Sequence, residues 1–380
     1  MSQPTGRPRI LVAFGTRPEA IKMFPVVSAL KETGRFDIRV VVTAQHREML
    51  DQVLELASIA PDIDLNLMQP GQSLDLLSTR IITQFGETLD TEKPDRVLVH
   101  GDTLTTMMAT LACYFRRIPV GHVEAGLRSG DIYSPWPEEV NRKVTGAVAD
   151  LHFAPTQGAA NALRAENVCD DQIHVTGNTV IDALLHTRSK ITSNPGLAAN
   201  IADLKAQFSH KRIVGVTAHR RENFGHGMVQ IANALRQLSQ REDIAIIFPI
   251  HPNPNVATVM RPALEGRDNI ALIEPLDYVG FVALMEACDL MLTDSGGVQE
   301  EAPTLGKPVL VMRDTTERPE GVKAGTAILV GAEKRAITKH VTRLLDNPSA
   351  YSAMAQAHNP YGDGTASQQI AEIISAVHSA

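Results

Sequence analysis

Short, unbroken runs of apolar residues punctuate the chain, and stretches with helical spacing of apolar positions lie between them. Residues 10–14, 38–43, 96–100, 119–123 and 151–154 are such runs; 20–31, 47–58, 73–91 and 103–116 carry the helical spacing. Buried parallel strands read as solid Val/Ile/Leu runs, and strands that alternate with helices imply βαβ units covered on both faces. The pattern pauses at 187–211, which has no apolar strand and carries an Asn194-Pro195-Gly196 turn signal, so this segment is predicted as a linker. A second series follows at 213–217, 245–249, 270–273, 290–293, 308–312 and 327–330, with a last helix at 366–377. The prediction is α/β: two doubly wound Rossmann-like domains facing across a cleft. In such sheets ligands bind at the carboxyl ends of the strands, where strand order reverses.

Composition narrows the classes. A chain of 380 residues fits two domains at about 150 residues each. A formal net charge of −7 disfavours broad binding to nucleic acid or an anionic membrane, while leaving room for a local basic pocket. Three cysteines without a CxxC pair argue against a disulfide framework or a thiolate zinc site. The first nine residues hold two prolines and no apolar core of a signal peptide, and no apolar run reaches the ~20 residues of a membrane helix. The expectation is a soluble cytoplasmic protein.

Chemistry concentrates at the ends of the apolar runs. Gly15-Thr16-Arg17-Pro18-Glu19 opens the first helix; Thr16 and Glu19 spell a capping box and Pro18 fits the first turn. That leaves Arg17 on a helix N-terminus, where anions are favoured, with Lys22 about a turn further on. The two side chains are expected to converge on one anionic group. The turn lacks the GxGxxG of a dinucleotide site. His100-Gly101-Asp102-Thr103 and Gly121-His122-Val123-Glu124 deliver two carboxylates to neighbouring strand ends. The plainer reading of Asp102 is an N-cap; Glu124 is harder to place in a core. The two histidines would suit a metal with Asp102 and Glu124, but no i, i+4 His pair or thiolate completes a set. A loop with Tyr133 and Trp136 then leads to Glu138 and Glu139, with Glu138 and Arg142 spaced as an i, i+4 pair. Asp102, Glu124 and Glu138 thus form a carboxylate set suited to acid and base work.

In the second half, 213–217 runs into His219-Arg220-Arg221-Glu222-Asn223, a polar set hard to bury, with His219 as the expected contact. Residues 290–293 run into Asp294-Ser295-Gly296-Gly297. Asp294 or Ser295 reads as an N-cap, while Ser295, Gly296 and Gly297 expose backbone N–H groups to an anion, and Arg318 adds a positive charge. No nicotinamide fingerprint, P-loop lysine or catalytic triad motif is present. The residues describe an enzyme that holds a phosphorylated ligand against carboxylates, with glycosyl or nucleotide-sugar chemistry favoured over hydride or phosphoryl transfer.

Taken in order, these motifs resemble the bacterial non-hydrolysing UDP-N-acetylglucosamine 2-epimerases, from the segment 14–22 to Asn359-Pro360-Tyr361-Gly362-Asp363-Gly364. The resemblance implies a GT-B fold: an N-terminal domain at 1–190 for acid–base work, a UDP-binding domain at 191–365, and a helix at 366–380 that returns to the first. It implies a homodimer that interconverts UDP-GlcNAc and UDP-ManNAc with no redox cofactor and no metal. Asp102, Glu124 and Glu138 then carry the acid and base work, with Arg142 beside them. Glu301 is similar to the carboxylate that holds the ribose hydroxyls, and Phe281 to a uracil contact. Leu276 stands where some relatives have Gln beside the base, a contact the backbone can make. Some relatives bind a second UDP-GlcNAc as an activator near segments resembling Gln45-His46 and His251, although Gly71 falls where some place Arg. The competing readings are a hydrolysing epimerase, a GT-B glycosyltransferase and a silent nucleotide-sugar sensor.

Overall fold

Residues 6–43, 47–68 and 71–379 are described by a computed structural model. In the first half the apolar runs become a seven-stranded sheet: β1 (Arg9–Phe14), β2 (Asp37–Val42), β3 (Ile63–Asp64), β4 (Arg96–His100), β5 (Val120–Val123), β6 (Leu151–Ala154) and β7 (Ile173–Val175). Its order is β3-β2-β1-β4-β5-β6-β7, and the pairs are parallel. The second half repeats the design with β8 (Arg212–Thr217), β9 (Ile244–Pro249), β10 (Ile270–Ile273), β11 (Leu290–Thr293), β12 (Val309–Val311) and β13 (Ala327–Leu329) in the order β10-β9-β8-β11-β12-β13. Helices cover both sheets, so the architecture is two doubly wound, Rossmann-like α/β units. The central strands β4, β5, β6 and β11 are buried from end to end, which is why they read as solid apolar runs. Strand order reverses between β1 and β4 in one sheet and between β8 and β11 in the other.

The chain divides into one unit made of Met1–Ala183 with Tyr361–Ala380, and another made of Leu184–Pro360. The helix Ala366–Val377 packs on the helix Arg17–Glu32 within the first unit. Its return is fixed by the Asn178 N–H, which donates to the Tyr361 carbonyl at 2.7 Å, and by Asp182, which accepts from the Ser367 N–H at 2.8 Å. Gly177 and Gly362 make this crossing possible. Both lie at positive φ, and a Cβ on Gly177 would sit 3.3 Å from the Gly362 Cα.

Two readings of the sequence need correction. The segment 187–211, expected as a linker, is folded: it contains the end of the helix Thr179–Ser193, a 3-10 turn at Pro195–Ala198 and the helix Ala199–Gln207. The strands β3 and β7 left no apolar run because they are two and three residues long and lie at the sheet edges. Among the described residues, no helix is long and apolar enough to cross a membrane.

Candidate active site

In the first unit the turns after β1 and β4 flank the point where strand order reverses. The helix Arg17–Glu32 starts with the capping box that its sequence spells: Thr16 accepts from the Glu19 N–H, and Pro18 lies in the first turn. Glu19 does more than cap. Its buried carboxylate accepts from the Gly15 N–H at 3.0 Å and the Thr16 N–H at 2.7 Å, and from the Thr103 hydroxyl at 2.7 Å. Burial pushes its pKa up, against the pull of those bonds. One carboxylate thereby ties the turn that carries Arg17 to the turn that carries Asp102. Packing between the turns is tight, since a Cβ on Gly15 would lie 2.2 Å from the Thr43 Oγ1.

Asp102 is not an N-cap. Thr103 takes that position and accepts from the Thr106 N–H. The Asp102 carboxylate pairs instead with the Arg142 guanidinium, and the Asn141 amide donates to the Asp102 carbonyl at 2.9 Å. These two contacts bind the helix Glu138–Val148 to the end of β4. The expected Glu138–Arg142 pair is replaced by Arg142 pairing with Asp102 and, at 3.2 Å, with Glu139. Glu139 is itself occupied by the Ser129 and Gly130 N–H groups. Glu138 is half-buried, and its Oε2 has no hydrogen-bond partner among the described residues.

Glu124 follows β5 in the left-handed region, at φ +61°. Lys22 and the Asn178 amide (2.8 Å) both donate to its Oε1, and His100 Nε2 lies 3.4 Å from its Oε2. Lys22 is therefore paired with Glu124. Burial holds the His100 pKa down at about 4; Glu124 opposes that fall and Lys22 adds to it. His122 donates from Nε2 to the Gly101 carbonyl at 2.7 Å, so it supports the Asp102 turn. No group of three or more His, Cys, Asp or Glu side chains suited to a metal occurs among the described residues. Asn178 was not legible as a site residue, because it comes from beyond β7 and meets Glu124 across 54 positions of sequence.

In the second unit the turns after β8 and β11 flank the reversal. The helix Gly296–Glu301 begins at Ser295, whose side chain makes no cap hydrogen bond. Asp294 is not a cap either. It is fully buried, and its Oδ2 accepts from the N–H groups of His219 and Arg220, each at 2.8 Å. Arg318 lies against Gly296, where an added Cβ would be 2.8 Å from the guanidinium, and Glu300 holds the Arg318 Nε at 2.7 Å. A glycine here lets a cation lie directly beside the helix start. Glu301 is buried and accepts from the Tyr278 hydroxyl at 3.0 Å. Phe281 is half-buried on the helix Tyr278–Ala287, and Leu276 lies just before it. His251 is exposed, and its ring stacks on His219. Gln45 and His46 lie outside the described residues.

A family model described as UDP-N-acetylglucosamine 2-epimerase matches residues 28–375. A UDP-N-acetylglucosamine 2-epimerase of Escherichia coli strain K12 is 54% identical over 368 residues, which is 96% of this chain and 98% of that one. The crystal structure of a UDP-GlcNAc 2-epimerase from Neisseria meningitidis bound to UDP-GlcNAc is similar at TM-score 0.88 and 47% identity, covering 97% of this chain and all of the other. The Methanocaldococcus jannaschii UDP-GlcNAc 2-epimerase in complex with UDP-GlcNAc and UDP is similar at TM-score 0.81 and 34% identity, over 97% of this chain and 99% of that one. The chain belongs to the UDP-N-acetylglucosamine 2-epimerase family, a family of isomerases.

Proposed function

We propose that this chain interconverts UDP-GlcNAc and UDP-ManNAc by elimination and re-addition, without net hydrolysis. A carboxylate takes the proton at C2, the C2–H pair forms the C1=C2 bond, and the C1–O pair leaves with UDP. The intermediate is a 2-acetamidoglucal. UDP then re-adds at C1 as a proton arrives on the opposite face of C2. The observation that carries the reading is the pairing at the end of β4 and β5. There Asp102 and Glu124 leave neighbouring strands, each fixed by a cation, Arg142 and Lys22. Two carboxylates in different surroundings suit opposite roles, one taking and one giving the proton. Glu138, on the helix that Asn141 and Arg142 tie to Asp102 and with one oxygen lacking a hydrogen-bond partner among the described residues, completes the set.

A C2 proton is weakly acidic, so stabilising the departing diphosphate must lower much of the barrier. Arg17, Arg318, His219 and the N–H groups of Ser295, Gly296 and Gly297 supply that stabilisation. Glu301 holds the ribose hydroxyls, Phe281 and the backbone at Leu276 receive the uracil, and Arg142 and Lys22 orient the carboxylates. The relatives solved with UDP-GlcNAc and UDP support this choice of ligand. By the same family likeness the working form is a cytoplasmic homodimer that supplies ManNAc-type sugars for surface polysaccharides. His251, with Gln45 and His46, is the candidate contact for an activating second UDP-GlcNAc. The test is incubation of the protein with UDP-GlcNAc alone and identification of the sugar product by proton NMR. UDP-ManNAc as the main product is expected. Free ManNAc with UDP would mark a hydrolase, and no turnover without an acceptor would mark a transferase.

A further inference from the structure

His219 is held on two sides by groups that the reaction scheme leaves without a role. Its Nδ1 lies 3.2 Å from Asp294 Oδ1. That oxygen is buried and accepts no hydrogen bond among the described residues, so its contact with the ring is one of charge and proximity. The other Asp294 oxygen is occupied by the N–H groups of His219 and Arg220 and, at 3.3 Å, by the Asn223 amide. The carboxylate is thus locked to the backbone that bears the imidazole, with its second oxygen left for the ring. The ring face is fixed as well. His251 stacks on it with centroids 5.5 Å apart and planes 18° from parallel. The Asn253 N–H donates to His251 Nδ1 at 3.2 Å, which leaves that ring its proton at Nε2. A carboxylate on the edge and a ring on the face fix both the rotation and the tautomer of an imidazole.

We propose that Asp294 is a positioning residue for the leaving-group step: it keeps the His219 proton at Nδ1 and turns Nε2 outward, toward the departing diphosphate. The inference rests on the reading of His219 as a leaving-group contact. In the forward direction the imidazolium, held at Nδ1 by Asp294, donates from Nε2 to a phosphate oxygen as the C1–O pair leaves. Re-addition reverses the same hydrogen bond, so the residue is unchanged over the cycle. The charged groups that face His219 act in opposite senses. Burial disfavours the imidazolium most and leaves the His219 pKa lowered, Asp294 favours it, and Arg220 and His251 oppose it.

The test compares Asp294→Asn, His219→Asn and the double variant. Asp294→Asn is expected to lower kcat about 100-fold, the scale of losing an orienting carboxylate, with KM and UDP affinity within about threefold. The alkaline limb of its kcat profile is expected to move to lower pH, because the imidazolium loses its counter-charge. In the His219→Asn background the Asp294 substitution is expected to cost almost nothing more. An equal cost in both backgrounds would make Asp294 a structural anchor only and overturn the inference. A normal kcat for His219→Asn would instead remove the leaving-group reading, and the inference with it. If Asp294→Asn does not fold, the native protein still decides. Nitrogen-15 NMR of the imidazoles, with His219 assigned by difference against His219→Asn, should show Nδ1 protonated. A proton at Nε2 alone in the neutral ring would contradict the proposal.

Discussion

At Glu124 a side chain other than glycine sits at φ +61°, a conformation that costs on the order of 1 kcal/mol or more. Lys22, Asn178 and His100 surround the carboxylate and hold it there. The strain therefore accompanies a carboxyl group in a fixed direction, as acid–base work needs. Asp102→Asn and Glu124→Gln should each lower turnover about 10²- to 10⁴-fold while leaving UDP affinity within about threefold, read by NMR rates and calorimetric titration. Near-normal turnover by both would remove their assigned roles. The carboxylates were legible in the sequence because acids at the ends of apolar runs have no core explanation. Their partners were not. Asn178 and Tyr361 are ordinary residues until the C-terminal segment returns to the end of β7, a contact spanning 183 positions that no local pattern encodes. Asp294 was legible only as a cap, because its real partners, the N–H groups of His219 and Arg220, lie on another strand end.

Among the elements, the strands were easiest to read where burial on both faces forces a solid apolar run, as in β1, β4 and β11. The helices at 187–211 were missed because their apolar positions are sparse. Only Ile201 is buried within the helix Ala199–Gln207, so almost no periodicity shows. The turn after β5 depends on one glycine. Gly126 sits at φ +90°, and a Cβ there would lie 2.3 Å from the Ala159 carbonyl oxygen, which is backbone and cannot swing away. Gly126→Ala should destabilise the protein by about 3 kcal/mol, combining an unfavourable φ with overpacking. Urea denaturation checks this, and a loss under about 1 kcal/mol would show that the turn can rearrange.

For the molecule as a whole, net charge was the wrong scale on which to judge an anionic ligand. A chain at −7 still places Arg17 and Arg318 at helix starts. Buried histidines contribute to its response to acid. His100 is held at about 4 and His122 at about 3 by burial, while the unfolded chain protonates its histidines near 6.5. The unfolded state thus binds more protons between those values. The contribution of these two histidines to stability is full above about pH 6.5 and is lost as pH falls toward 4, by on the order of 3 kcal/mol each. Urea midpoints measured from pH 7 to 4 should fall accordingly, and His122→Asn should flatten the slope; an unchanged slope would contradict the assignment. The proposed reaction exchanges the proton at C2 through elimination of UDP. Its most direct test is the reaction of UDP-GlcNAc in D₂O, followed by proton NMR of the product and the recovered substrate. UDP-ManNAc carrying deuterium at C2 and nowhere else on the sugar is expected. UDP-ManNAc that keeps its original hydrogen at C2 would contradict it.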